Sequence, residues 1–210
     1  MVFLDHDQVD ALANAAGDYA LLVRVFAYTG LRWGEATALR GQRVDLVGRP
    51  LNVVEAASEH SGQVTIGTPK SHQRRYVPLP EFLAAELAHH LRGRRLDDLV
   101  FTAPGGGPLR NSNFRRDVFD PAARVAGLTG LRPHDLRHTA ASLAIGAGAN
   151  VKAVQQMLGH ASAAMTLDVY AGLFLDDLSN VAQRLHEAVT ARSVSTVCPP
   201  PQIEEPPDEQ

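Results

Sequence analysis

Six side chains in this sequence are of the kinds that opening a phosphodiester without a metal ion would require, and they recur at spacings a fold can gather. A phosphodiester is anionic and gains charge under attack, so fixed cations must meet it. Arginine does this best, because its planar fork holds two oxygens at once. A nucleophile must reach phosphorus, and an acid must protonate the departing oxygen. Arg32 stands at a helix start in Thr29-Gly30-Leu31-Arg32-Trp33-Gly34-Glu35. Lys70 sits in the turn Pro69-Lys70-Ser71. His134 and Arg137, in His134-Asp135-Leu136-Arg137-His138, are one helical turn apart and face the same way. His160 follows Leu158-Gly159 just past a helix end, and Tyr170 comes ten residues later.

Neighbouring residues read more plainly. Glu35, three after Arg32, is placed to orient an arginine or support the fold. His138 reads as supporting or structural, and Asp135 as a helix cap or a restraint on a neighbour. The remaining histidines read as side chains without chemistry.

The elements that must position these groups are mostly helical. Asp5 and Gln8 form a capping-box pattern before a helix from about Asp7 to Ala16. Tyr19–Thr29 places Leu22, Val25, Phe26 and Thr29 on one face, with Gly30 as its stop. Trp33–Leu39 is a short helix. Leu51–Val54, Gln63–Ile66 and Arg75–Leu79 read as strands of one small antiparallel sheet, with basic residues at a hairpin tip between the last two. Helices follow over Glu81–Leu91, Asn111–Ala126 (interrupted at Pro121), Pro133–Ala147, Val151–Leu158 capped by Asn150, and Ala163–Tyr170. A last helix is expected over Asp176–Thr190. Its Leu178, Val181 and Leu185 give it an apolar face. The fold class is thus mainly α with a small antiparallel β-sheet.

Composition bounds the rest. The chain has 210 residues, 45% of them hydrophobic, enough for one buried core. No apolar run reaches the roughly 20 residues of a membrane helix. A single cysteine, Cys198, excludes an internal disulfide and fits a reducing cytoplasm. Net charge is −3, but Glu204, Glu205, Asp208 and Glu209 crowd the last twelve residues, and without that stretch the balance is +1. Local basic clusters matter more for a nucleic-acid partner. Arg74, Arg75, Arg110 and Arg115 are the candidates for DNA contact.

In this order, the Arg, Lys, His-x-x-Arg, His and Tyr set, with Thr29-Gly30-Leu31-Arg32, Pro133-His134-Asp135-Leu136-Arg137-His138-Thr139 and Leu158-Gly159-His160, resembles the tyrosine recombinase, or phage integrase, family. The resemblance covers about Phe3 to Glu187. It implies the family's catalytic-domain fold over residues 1–192. A proline-rich acidic tail, expected to be disordered, would follow over 193–210, and the N-terminal core-binding domain is expected to be absent. It further implies that Tyr170 attacks a DNA phosphate to form a 3′-phosphotyrosyl link. Arg32 and Arg137 would hold the non-bridging oxygens and Lys70 would protonate the 5′ oxygen. His134 would exchange a proton near the tyrosine, and His160 would hydrogen-bond the phosphate. The implied work is site-specific integration or excision of a mobile element in the cytoplasm, on double-stranded DNA. It needs no metal, ATP or other cofactor, and the protein would be a monomer when free and a homotetramer on DNA.

Rival readings differ in class. His134 and His138 at i and i+4 resemble a zinc-hydrolase helix, but Asp135 replaces the usual glutamate and Arg137 opposes a cation. A truncated module that binds DNA but cuts it weakly is a second. A topoisomerase using the same covalent chemistry is a third.

Overall fold

The computed structural model describes residues 2–48, 50–60, 62–68 and 74–175, with 183, 185–187 and 189–190 beyond them. Contacts divide the chain into two units, Met1–Ala171 and Gly172–Gln210.

In the first unit, α1 (His6–Ala15) opens with the expected box: the Asp5 carboxylate accepts from the Gln8 backbone N–H at 2.8 Å, and the Gln8 side chain accepts from the Asp5 N–H at 3.0 Å. α2 (Ala20–Thr29) buries Leu22, Val23, Val25, Phe26 and Ala27, and is the centre of the core. It packs against α1, α4 (Glu81–His90) and α7 (Asp135–Gly146). α2 ends at Gly30, whose φ of 63° is left-handed. α3 (Trp33–Thr37) follows directly, so the loop carrying Arg32 is short and fixed at both ends.

Two antiparallel strand pairs come next. β1 (Pro50–Val53) pairs with β4 (Arg75–Pro78), with Leu51 opposite Val77. β2 (Ala56–His60) pairs with β3 (Gln63–Gly67), with Ser58 opposite Thr65. This corrects the expected three-stranded sheet. The strand Ala-Ala-Ser-Glu-His has neither alternation nor β-branched residues, so nothing local marks it as a strand. β3 and β4 do not pair among the described residues, and residues 69–73 of the expected basic hairpin tip lie outside them. β2 packs on α3, where a Cβ on Gly34 would stand 2.2 Å from the Ala57 carbonyl oxygen.

The helical second half holds α5 (Asn111–Phe114), a π-helical turn over Arg115–Phe119, and α6 (Asp120–Val125). Pro121 lacks an N–H and its ring crowds the carbonyl one turn back, and the wider turn relieves both problems without ending the helix. α8 (Val151–Leu158) is capped by Asn150, which accepts from the Ala153 N–H at 2.9 Å. α9 (Ala163–Leu175) carries Tyr170. No helix among the described residues is long and apolar enough to cross a membrane.

In the second unit, the described residues 183, 185–187 and 189–190 are helical. Gln183 donates to Glu187 at 2.9 Å and the Thr190 hydroxyl to the His186 carbonyl at 2.8 Å, both at helical spacing. The rest of the expected last helix, Cys198 and the acidic tail lie outside the described residues.

Candidate active site

Arg32, Arg137 and His160 meet where α2 and α8 end. Arg137, on α7, is 4% exposed. It donates from its two terminal nitrogens to the carbonyls of Gly30 and Leu158, which no further helical turn can satisfy. A cation there also complements the negative ends of two helix dipoles. Arg32 extends from the start of α3 and donates to the Gly159 carbonyl at 3.3 Å, the next carbonyl along.

Glu35 supports this pair. Its carboxylate, 3% exposed, accepts from the Arg32 backbone N–H at 2.7 Å and from the Arg32 guanidinium at 3.1 Å. It also accepts two hydrogen bonds from Arg75, at 2.6 and 2.8 Å. Burial alone would raise the Glu35 carboxyl, but the Arg75 hydrogen bond and charge, with those of Arg32, hold it below its ordinary value. Arg75, a candidate for DNA contact, has a side chain 9% exposed, and its Nε donates to the Met157 carbonyl at 3.1 Å, so its hydrogen bonds serve the fold's interior. Arg74 and Arg110, two further candidates for DNA contact, are exposed. Arg115 is half-exposed and paired with Asp120 at 3.3 Å.

His160 places Nδ1 3.1 Å from the buried Thr166 hydroxyl. Burial first, then the charges of Arg137 and Arg32, push its imidazole down to about 4. It is therefore neutral at pH 7, and whenever the Thr166 hydroxyl donates to Nδ1 the proton sits on Nε2. His134 lies at the start of α7. It lines a cleft of about 840 Å³ together with Arg32, Trp33 and residues of β2 and β3. Burial and Arg137 lower its imidazole as well. Trp33 and His134 also line a smaller cleft with Asn111, Arg115 and Arg132. Asp135 caps the turn, accepting from the Arg132 N–H at 2.8 Å.

Tyr170 is 2% exposed. Its ring stands 6.5 Å from that of Phe3, and its hydroxyl is 2.8 Å from Nδ1 of His138. Burial raises the phenol above its ordinary value, only partly offset by Arg137, so it keeps its proton at neutral pH. The sequence reading missed this role for His138. The available signal was spacing: four residues after His134, it lies on the same face of α7, and the two rings meet edge to face at 5.4 Å. That contact and the Tyr170 bond do not resemble two ligands converging on zinc. Among the described residues no group of three or more His, Cys, Asp or Glu could hold a metal ion. Lys70 lies outside the described residues.

Arg32 and Arg75 therefore share the single carboxylate of Glu35, while Arg137 is held by neutral carbonyls among the described residues. After burial, this positive charge is what depresses His160 further, and it suits an oxyanion.

A mainly helical scaffold with two short strand pairs around such a cationic centre and a buried tyrosine is the catalytic-domain architecture of the tyrosine recombinases. The chain belongs to the phage integrase family, whose model matches residues 2–174. It is 31% identical over 173 residues to the tyrosine recombinase XerC of Corynebacterium efficiens, covering 80% of this chain and 50% of that one. It is 29% identical over 195 residues to the integrase of Mycobacterium phage D29, covering 88% and 51%. The chain thus spans about half the length of these relatives. Among solved structures, the XerA recombinase matches with a TM-score of 0.63 at 28% identity, over 80% of this chain and 60% of that one. The Tn1549 transposon integrase, solved with transposon right end DNA, matches with a TM-score of 0.73 at 23% identity, over 88% and 66%; that likeness is one of fold.

Proposed function

We propose that this chain is the catalytic portion of a site-specific recombinase that cleaves and rejoins double-stranded DNA through a 3′-phosphotyrosyl link at Tyr170. The observation that carries this reading is the cationic centre: three guanidinium groups against one carboxylate, beside a buried, protonated tyrosine. Arg32 and Arg137 hold the non-bridging oxygens of the scissile phosphate, and the neutral His160 donates to one of them from Nε2. Tyr170 forms the bond to phosphorus as the bond to the 5′ oxygen breaks, and Lys70 supplies the proton that oxygen needs. The ester energy is retained in the phosphotyrosine, so the reverse step closes the strand without ATP, and the arginines do the work a metal would otherwise do. Arg74, Arg110 and Arg115 bind flanking phosphates. Similarity to integrases, a phage enzyme among them, supports integration or excision of a mobile element as the process served.

Two exchanges need four subunits on DNA, from a chain that is monomeric when free. An apolar groove of about 1130 Å³, lined by Phe3, Tyr28, Phe82, Leu143 and Met157 among others, supports that assembly as a seat for an apolar helix face. In the sequence, Leu178, Val181 and Leu185 form such a face.

The test is covalent trapping in EDTA. The protein is mixed with nicked duplexes from the DNA flanking its gene and then denatured. A DNA adduct from the parent and none from Tyr170→Phe is the expected result. An adduct that persists in Tyr170→Phe overturns the nucleophile, and one that needs a divalent cation overturns the reaction class.

A further inference from the structure

The proton on Tyr170 has to go somewhere when its oxygen attacks, and the group that the fold places on that oxygen is His138. On the reading just proposed, we infer that His138 is a catalytic residue: its Nδ1 takes the Tyr170 hydroxyl proton as the phosphotyrosine bond forms. Four observations support the assignment. The Nδ1–Oη separation is 2.8 Å, within the range for direct proton transfer. Tyr170 is almost fully buried, so bulk water is a poor acceptor for its proton. The two residues sit on separate elements, α7 and α9, which the fold has to hold together for the bond to exist. His134 makes only a ring contact with His138 and lines the cleft with Arg32, which suits a group facing the phosphate better than one receiving the phenolic proton.

The charge state fits. Burial, His134 and Arg137 lower the His138 imidazole, so it enters the reaction neutral with a lone pair free. The groups facing it are His134, Asp135 and Arg137 on its own helix, Tyr170 on α9 and His160 beyond α8. When it accepts the proton it becomes a cation beside the new phosphotyrosine, whose charge stabilises it. In the step, the O–H bond of Tyr170 breaks and the N–H bond of His138 forms. The O–P bond forms while the bond to the 5′ oxygen breaks. In religation the same proton returns to the tyrosine, so no outside acid or base is consumed.

The experiment compares the parent with His138→Gln, His138→Ala and His134→Gln, following single-turnover adduct formation on the nicked duplex from pH 6 to pH 9. Circular dichroism first establishes that each variant is folded. The parent should level off above the His138 transition. Both His138 variants should form adduct about 10²-fold more slowly at pH 7, the lower end for loss of a general base. Their rates should climb steadily toward alkaline pH, where hydroxide does the work. His134→Gln should be slower with the plateau intact. A His138→Gln rate within threefold of the parent with the same plateau overturns the assignment. So does loss of the plateau in His134→Gln alone. Faster cleavage by His138→Ala also overturns it, because the bond would then be a restraint on the tyrosine. A second measurement stands apart from activity: the ¹⁵N shifts of the His138 ring, compared between the parent and Tyr170→Phe. A shift in Nδ1 supports the contact in solution, and identical spectra remove it. If the parent forms no adduct on any duplex, the recombinase reading has failed, whatever these spectra show.

Discussion

Glu35 takes both terminal nitrogens of Arg75, 40 residues away, in a pair buried between α3 and β4. Through Arg75 the pair reaches the Met157 carbonyl near the end of α8, and through Arg32 it fixes the start of α3. One acid therefore sets three of the segments that border the cationic centre. Glu35→Ala leaves the Arg75 cation buried without its counter-charge, which costs about 3–5 kcal/mol. Urea unfolding of the two proteins measures it. A loss under about 1 kcal/mol would mean that Arg75 finds another partner or swings to solvent.

The same carboxylate gives stability a pH dependence. The Glu35 carboxyl ordinarily titrates at 4.5; burial would raise it, and Arg75 and Arg32 bring it lower. A depressed carboxyl stabilises the fold fully above 4.5, and that contribution is lost as pH falls through the lower folded value. The stability gap between the parent and Glu35→Gln should therefore be constant from pH 5 to pH 7 and narrow below 4.5. A gap that widens in acid would contradict the direction of the shift.

Arg137 has a structural duty besides any chemical one. Its two carbonyl partners close α2 and α8, and Arg137→Ala strips both at once. An unsatisfied buried carbonyl costs about 1–3 kcal/mol. Arg137→Ala should lose a large part of the protein's stability along with cleavage. Arg137→Lys, with one point of donation in place of a fork, should recover part of the melting temperature and little of the cleavage. Equal melting temperatures for the parent and Arg137→Ala would show that water fills both bonds.

The sequence reveals the helices more readily than the sheets, for a physical reason. α1, α2 and α8 carry their own start and stop signals, Asp5 with Gln8, Gly30, and Asn150 with Gly159, and each works through the next few backbone groups. β2 has no such signal. It is a strand because β3 pairs with it and α3 packs on it, and neither contact is written in its own five residues. The site divides the same way. Arg32, His134, Arg137, His160 and Tyr170 stand in motif words, and the fold brings Arg32, Arg137 and His160 around one turn. Arg75 looked like a surface cation because basic neighbours surround it, and only the tertiary fold shows Glu35 beneath it. His138 read only as supporting or structural because its partner is 32 residues further along the chain.

Gly30 joins fold and site in one residue. Its φ is left-handed, and a Cβ there would stand 2.6 Å from Cδ2 of the buried Leu158 and 3.3 Å from Cβ of Ala140. Gly30→Ala adds backbone strain of about 1–2 kcal/mol and a clash in the packed α2–α7–α8 junction. Its carbonyl is also an Arg137 acceptor, so the strain falls on the cationic centre. Lower thermal stability and slower adduct formation should appear together. Unchanged values for both would mean that the α2 end is not left-handed in solution.

His160 reports on the same centre directly. Its imidazole, pushed down to about 4 by burial, Arg137 and Arg32, is neutral in the folded protein while the unfolded chain titrates near 6.5. Between those values the unfolded state binds more protons, so stability is full above 6.5 and declines as pH falls toward 4. An oxyanion seated on Arg32 and Arg137 cancels the charge that depresses the ring, and so must raise the titration. In an NMR titration of the ring protons, His160 should have its midpoint near 4. Inorganic phosphate should move it up, and Arg32→Ala should move it the same way without phosphate. A midpoint at the ordinary 6.5 that ignores phosphate would mean that the two guanidinium groups do not face this ring, and the anion site would have to lie elsewhere.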